Sequence, residues 1–186
     1  MSLKLITPPE TFPVSLEEVK EALGYYCEDD DSKVEAYIAA ATEYAQEFQK
    51  KRVYITQTWD QYMQTPLNIV NILKTPVKSI VHIKYKDSTG TEHTVDPNDY
   101  ILSHEGLVVA AYNKCIFPSF IPYPADAITI RFVAGYGNAG DVPARIKQAI
   151  ILLCKHFDYV DTNGRDKIAE NQLESAHRLL WLDRAW

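Results

Sequence analysis

The clearest alternation of apolar and polar positions lies between Ile128 and Tyr159. Ile128, Ile130 and Phe132 alternate with Thr129 and Arg131, a period of two in β-branched and aromatic residues that predicts a strand with one buried face. Gly135, Gly137 and Gly140 interrupt the pattern. Asp141 is placed to cap a following helix, with Pro143 in its first turn, where a missing N–H costs nothing. Ile146, Ala149, Ile150, Leu153 and Phe157 then recur three and four residues apart, and Ile151, Leu152 and Cys154 widen the stripe. The spacing predicts a helix over 143–159, buried around most of its girth, on which the core is expected to form.

Upstream, the prolines at 8, 9 and 13 predict an extended arm over residues 1–13. Ser15-Leu16-Glu17-Glu18 is a capping box, and it predicts a helix over 15–24 that ends at Gly24. A second helix is expected over 32–51, with Val34, Ile38, Ala41, Ala45 and Phe48 inward and Tyr37 and Tyr44 beside that stripe. A β-rich region follows over 53–134. It contains a strand at 53–63, an apolar piece at 69–73, a hairpin over 77–95 turning at Asp87-Ser88-Thr89-Gly90, and a strand pair at 100–102 and 107–110. Residues 113–126, with three prolines among aromatics, read as an irregular loop. Val160 to Asn171 reads as a polar loop, and 173–186 as a last short helix too apolar to be a free tail. Helices, then strands, then helices predict an α+β fold with an antiparallel sheet. The expected organisation is the arm, one domain over 14–160 with the β-rich region inserted, and a C-terminal loop and helix over 161–186.

Composition narrows the chemistry. Net charge is −6 and there is no basic run, so no general affinity for a nucleic-acid backbone is expected. No apolar stretch reaches the roughly 18 residues of a membrane span, and the N-terminus lacks the pattern of a signal peptide. Cys27, Cys115 and Cys154 are far apart and odd in number, which points to free thiols rather than a disulfide framework or a zinc site. The acidic run Glu28–Asp31 lacks the glycine and distal glutamate of a calcium loop and suits the positive end of the next helix instead. No histidine stands in a ligand pattern, and no serine or cysteine in the context of a nucleophile.

One motif imitates a cofactor site. Gly135-Tyr136-Gly137-Asn138-Ala139-Gly140 fits G-x-G-x-x-G between a strand and a helix. A dinucleotide site needs a second strand after that helix, carrying an acidic residue about 20 positions on, and no such strand is predicted. Asp141 would also place a negative charge where pyrophosphate belongs. Gly135, Gly137, Gly140 and Pro143 are therefore read as a structural turn, with no cofactor expected. A nucleotide-binding enzyme using this turn, or a small interaction domain, are the alternative functions.

Several segments together carry a resemblance. They are Val14-Ser15-Leu16-Glu17-Glu18-Val19-Lys20, Asp29-Asp30-Asp31, Val34 to Ala45, Ile55-Thr56-Gln57-Thr58-Trp59, Thr75 to Ile80, Phe132 to Gly137, Val142-Pro143 and Ile146 to Ile150. In their order and spacing the chain resembles the head–tail connector, or adaptor, family of tailed bacteriophages and prophages, from about Val14 to Tyr159. After Tyr159 it departs from the family, lacking a proline near Leu179-Leu180-Trp181-Leu182. The resemblance implies a non-enzymatic virion protein at the head–tail junction, assembled from the host cytoplasm. It implies a ring of about a dozen identical subunits, closed by head-to-tail contacts. The ring would bind the portal on one side and a head-completion (stopper) or tail protein on the other, while DNA passes without sequence-specific binding; an isolated subunit could remain a monomer. Tyr and Trp are favoured in interfaces. Two contact sets are expected: the exposed side of helix 32–51 with the 77–95 hairpin, through Tyr37, Tyr44 and Tyr85, and the C-terminal segment, through Leu179, Trp181 and Trp186.

Overall fold

The structure, a computed structural model, describes residues 1–50 and 52–182. Its strands are β1 (Ser2–Thr7), β2 (Gln57–Met63), β3 (Ile69–Asn71), β4 (Val77–Lys86), β5 (Glu92–Thr94), β6 (Tyr100–Leu102), β7 (Leu107–Ala110) and β8 (Ile128–Ala134). Its helices are α1 (Leu16–Leu23), α2 (Asp31–Phe48), α3 (Ala144–Asn163) and α4 (Lys167–Trp181). The fold is α+β, and every pairing between these strands is antiparallel. The chain forms two compact units. One comprises Met1–Pro9 and Thr56–Tyr136 and holds the strands; the other comprises Glu10–Ile55 and the chain from Gly137 onward and holds the helices.

In the strand unit, β1-β2-β8-β4-β5 form one sheet and β3-β7-β6 a second. The alternation in β8 puts Ile128, Ile130, Phe132 and Ala134 in the core, with Thr129, Arg131 and Val133 on the other face. Neighbouring strands supply Met63 and Ile83 to the core, and the second sheet and its loops add Val70, Ile72, Val95, Val108, Ile116 and Phe117. Buried Gln61 ties the sheets' chains together: its amide donates to the Asn71 carbonyl at 3.0 Å and its oxygen accepts from the Leu73 N–H at 2.9 Å. On the opposite face of the large sheet, Arg131 grips Asp60 with two bonds of 2.7 Å. The Arg131 bonds hold the Asp60 carboxyl below the usual carboxylate range. The hairpin turns where the sequence places it, with the Asp87 carboxylate accepting from the Thr89 and Thr91 amides at 2.9 and 3.2 Å.

In the helical unit, Ser15 and Glu18 cap α1 reciprocally, at 3.1 and 2.8 Å. Gly24, at φ +79°, ends the helix in the left-handed conformation that glycine adopts without a Cβ penalty. The acidic run becomes a single 3-10 turn, and Asp31 opens α2 paired with Lys20. Val34, Ile38, Ala41 and Ala45 of α2 are buried, together with Ile146, Ala149, Ile150, Leu153 and Cys154 of α3. Burial pushes the Cys154 thiol up to about 12, so it behaves as a small core residue.

Several boundaries differ from the sequence expectation, each for a local reason. Residues 2–7 are not an arm but an edge strand, because Leu3, Lys4 and Leu5 alternate and find β2 to pair with; Pro8 and Pro9 stop it. The strand expected at 53–63 begins only at Gln57, while Val53, Tyr54 and Ile55 are buried in the helical unit. The 14–160 stretch is not organised on one core: α3 centres the helical unit, and β8 the strand unit. The loop expected at 160–171 shrinks to Gly164–Asp166. α3 runs on to Asn163, and Asp166 caps α4 by accepting from Ile168 and Ala169 amides at 2.8 and 3.1 Å. Lys51 and Trp186 lie outside the described residues.

Truncating Phe132, fully buried at the centre of the large sheet, is expected to cost roughly 3–5 kcal/mol. Chemical denaturation of Phe132→Ala beside the parent chain measures this, and a loss below about 1 kcal/mol would contradict β8 as the core of its unit.

Candidate interaction surfaces

The Gly-rich turn shows what it is built for. Gly135 and Gly137 sit at φ +128° and +147°, where a side chain is strained, whereas Gly140 is not at positive φ and needs no such freedom. The chain then makes a 3-10 turn over Ala139–Asp141, in which the Asp141 carboxylate accepts from the Asn138 N–H at 2.9 Å. A Cβ on Gly137 would lie 2.1 Å from that carboxylate. The space beside Gly137 is thus filled by a negative group bonded to the turn's own backbone, and a phosphate would meet repulsion there. Asp141 does not cap α3; Pro143 holds the N-cap position, after an extended Val142.

The aromatic residues expected at contacts divide into two groups. Tyr37 and Tyr44 turn from the flanks of α2 towards α3 and α4. The Tyr37 hydroxyl donates to Asp161 at 3.1 Å, and Lys33 lies 5.5 Å from the Tyr37 ring and 3.3 Å from Asp158. Burial works against the Lys33 charge, but bonds with Tyr37, Asp158 and Tyr25 outweigh it and raise its pKa. The Tyr44 hydroxyl meets His177 Nε2 at 2.8 Å, and its ring stands edge-on to Phe157. Tyr85 stacks on His93 at 5.0 Å and packs against Phe117 and Phe120. All three are half-buried within their own unit. The face of α2 that remains exposed carries Ser32, Glu35, Ala36, Ala39, Ala40, Glu43 and Glu47 instead.

The end of α4 is more open. Leu180 points inward and is fully buried, whereas Trp181 and Leu182 are 49% and 73% exposed and Leu179 is half-buried. This end is fixed from below. Gln49, itself fully buried, donates its amide to the Leu180 carbonyl at 2.8 Å and accepts from the Tyr54 hydroxyl at 2.9 Å. Phe48 and His177 stack at 4.4 Å, and Trp181 leans on Phe48 at 6.3 Å. Burial, with a smaller contribution from His156, lowers the His177 pKa.

Two open grooves mark the helical unit. One, of about 650 Å³, is mostly apolar and is lined by Phe12, Val14, Leu16, Ile38, Ala139 and Gly140 among others. The other, of about 420 Å³, includes Lys33, Tyr37, His156, Phe157, Asp161 and Arg165. Among the described residues no group of three or more His, Cys, Asp or Glu could hold a metal ion. The exposed apolar residues of β1, Leu5 and Ile6, were not anticipated, although the alternation around Lys4 carries the signal of a strand.

Comparison with known proteins adds three findings. The family described as head completion protein matches residues 14–172. No curated protein matches the chain. Solved structures resemble it throughout: a chain in the virion of a native gene transfer agent (GTA) particle has a TM-score of 0.75 at 18% identity, covering 96% of this chain and 95% of that one. A chain in the neck of the empty GTA particle, computed with C6 symmetry, gives 0.77 at 17%, with 96% and 95% covered. One in the neck of the native particle, computed with C12 symmetry, gives 0.73 at 18%, with 96% and 94% covered. At these identities the likeness is one of fold.

Gly137→Ala is expected to destabilise by roughly 1–3 kcal/mol from backbone strain plus the Asp141 clash. Adding Asp141→Ala should recover only part, which paired denaturation curves measure. In a melting-temperature screen, dinucleotides should leave the parent chain unshifted; stabilisation that Gly137→Ala abolished would contradict the structural reading of the turn.

A histidine with a lowered folded pKa binds fewer protons folded than unfolded, so its contribution to stability is complete above the unfolded value near 6.5 and is lost as pH falls below it. His82, also lowered by burial, acts in the same direction. Stability is therefore expected to fall between pH 7.5 and 5.5, above the range where carboxylates titrate, and less steeply in His177→Phe. Calorimetric melts at the two pH values measure the difference.

Proposed function

Because the chain belongs to the head completion protein family, matched over residues 14–172, we propose that it is a head–tail connector, a structural subunit of the neck of a tailed-phage-like particle. About a dozen copies form a ring by head-to-tail contact, a closed arrangement that heterologous interfaces produce when the rotation permits. The ring sits between the portal and a head-completion or tail protein, and subunits reach it from the host cytoplasm. The family match carries this reading. The GTA necks, computed with C6 and C12 symmetry, support a ring built on this fold.

The molecule's chemistry agrees with a passive conduit. The net charge of −6 disfavours adhesion to passing DNA. In the Gly-rich turn the Asp141 carboxylate lies against Gly137 and accepts from the Asn138 N–H, where it would repel the pyrophosphate of a dinucleotide. The role is structural rather than enzymatic. Leu179 and Trp181 at the end of α4 form the contact to the portal or an adjacent subunit, since a half-exposed tryptophan beside a buried anchor is the kind of residue that dominates interfaces. Trp186, outside the described residues, belongs to the same segment.

Light scattering of the full chain, alone and with the portal of the same particle, tests the proposal. A complex with the portal is expected, and Trp181→Ala should weaken it by about 30-fold, equivalent to about 2 kcal/mol, while the melting temperature changes little. No binding to the portal would overturn the connector role. Binding untouched by Trp181→Ala would overturn only the α4 contact.

A further inference from the structure

Resting on the ring reading, we propose that neighbouring copies join edge to edge: β1 of one copy pairs with the uncovered half of β4 in the next, continuing one sheet from subunit to subunit. The large sheet has an open rim at each end. β1 lies at one end with β2 on one side and no strand on the other among the described residues. A strand edge presents a row of N–H and C=O groups that template another strand, and proteins usually blunt it with charge or bulges. β1 has Lys4 and an irregularity between Leu5 and Thr7, yet Met1, Leu5 and Ile6 remain 68%, 40% and 37% exposed. That is an apolar edge left open.

The opposite rim is only partly covered. β4 starts at Val77, but β5 pairs with it only at Lys84, Tyr85 and Lys86, and the Val95 N–H adds one bond to Ile83. Val77 to His82 therefore has β8 on one side and no strand on the other among the described residues. Lys78, Ser79 and Val81 are exposed there. Val77–His82 is six residues, the length of β1, with irregularities in its pairing to β8 between Val77 and Ser79 and between Ile80 and His82.

Strand sense decides which partner fits. Each step across β1-β2-β8-β4 is antiparallel, so β1 runs with β8 and against β4. A neighbour related by rotation about a ring axis presents its β1 in the same sense as the first copy's β1. Set beside β4 it is antiparallel, and the alternation continues unbroken. The contact is heterologous and propagates, as a ring requires; two β1 edges paired with each other would instead make a closed two-fold dimer. Like charges directly opposite one another destabilise a strand pair, so the register keeps Lys4 and Lys78 apart.

Cross-linking in the assembled ring tests this. In a chain with exposed Cys27 and Cys115 replaced by serine, Leu5→Cys and Ser79→Cys are introduced together and separately. Rings formed on the portal of the same particle are treated with a short bis-maleimide. The double variant is expected to give a ladder of covalent multimers, and each single variant none. Amide exchange in Ser2–Thr7 and Val77–His82 should also slow at least about 10-fold on ring assembly in the parent chain. A ring that forms without a ladder and without slowed exchange would overturn the edge pairing and leave the connector role standing. A Leu5→Cys single variant that stops at dimers would overturn it in favour of β1–β1 pairing. Absence of any ring would overturn both.

Discussion

Burial of one face of β8 is the constraint on which the strand unit depends. Ile128, Ile130 and Phe132 are fully buried, and β8 is paired along its length with β2 on one side and β4 on the other. A shift of one residue would turn these side chains to the polar face and bring Arg131 into the core. The Arg131–Asp60 pair opposes that shift from the other face. With the register of β8 fixed, so are the positions of β2 and β4, and with them the two outer rims of the sheet. The edges proposed to join subunits are thus set by a hydrophobic pattern at the sheet's centre.

The same stretch of chain also founds the second core. Ten residues after Ala134, α3 begins, and none of its residues from Ala149 to Val160 is exposed. The chain passes from one unit to the other through Tyr136 and Gly137. This explains why the glycines and Asp141 are arranged for a tight backbone path: Gly137 admits no side chain beside the Asp141 carboxylate. A motif with the spacing of a phosphate cradle is here a device for leaving one core and entering another.

Much of this was legible in the chain because the signals are local. Period-two alternation located β8, the capping box located α1, and Asp87 to Gly90 located the hairpin turn. What escaped depended on distant partners or on competing cues. The prolines at 8 and 9 masked the alternation of Leu3 to Leu5, whose partner strand lies more than fifty residues away. Polar residues at 161–167 masked the end of α3 and the start of α4, although Asp166 was an available cap. Composition marks Tyr37, Tyr44 and Tyr85 as candidate interface residues but does not reveal that Asp161, His177 and Phe117 are their neighbours within the chain. Gln49, which fixes the end of α4, carries no sequence signal at all; only the positions of Leu180 and Tyr54 give it meaning.

The chain belongs to the head completion protein family and shares its fold with chains in GTA particles, and both support the connector role proposed for it. Cryo-electron microscopy of the particle that carries this chain tests the claim most directly. The account predicts a symmetric ring of about a dozen copies at the head–tail junction, directly against the portal. Purified particles without the chain, or with it placed away from the neck, would contradict the account.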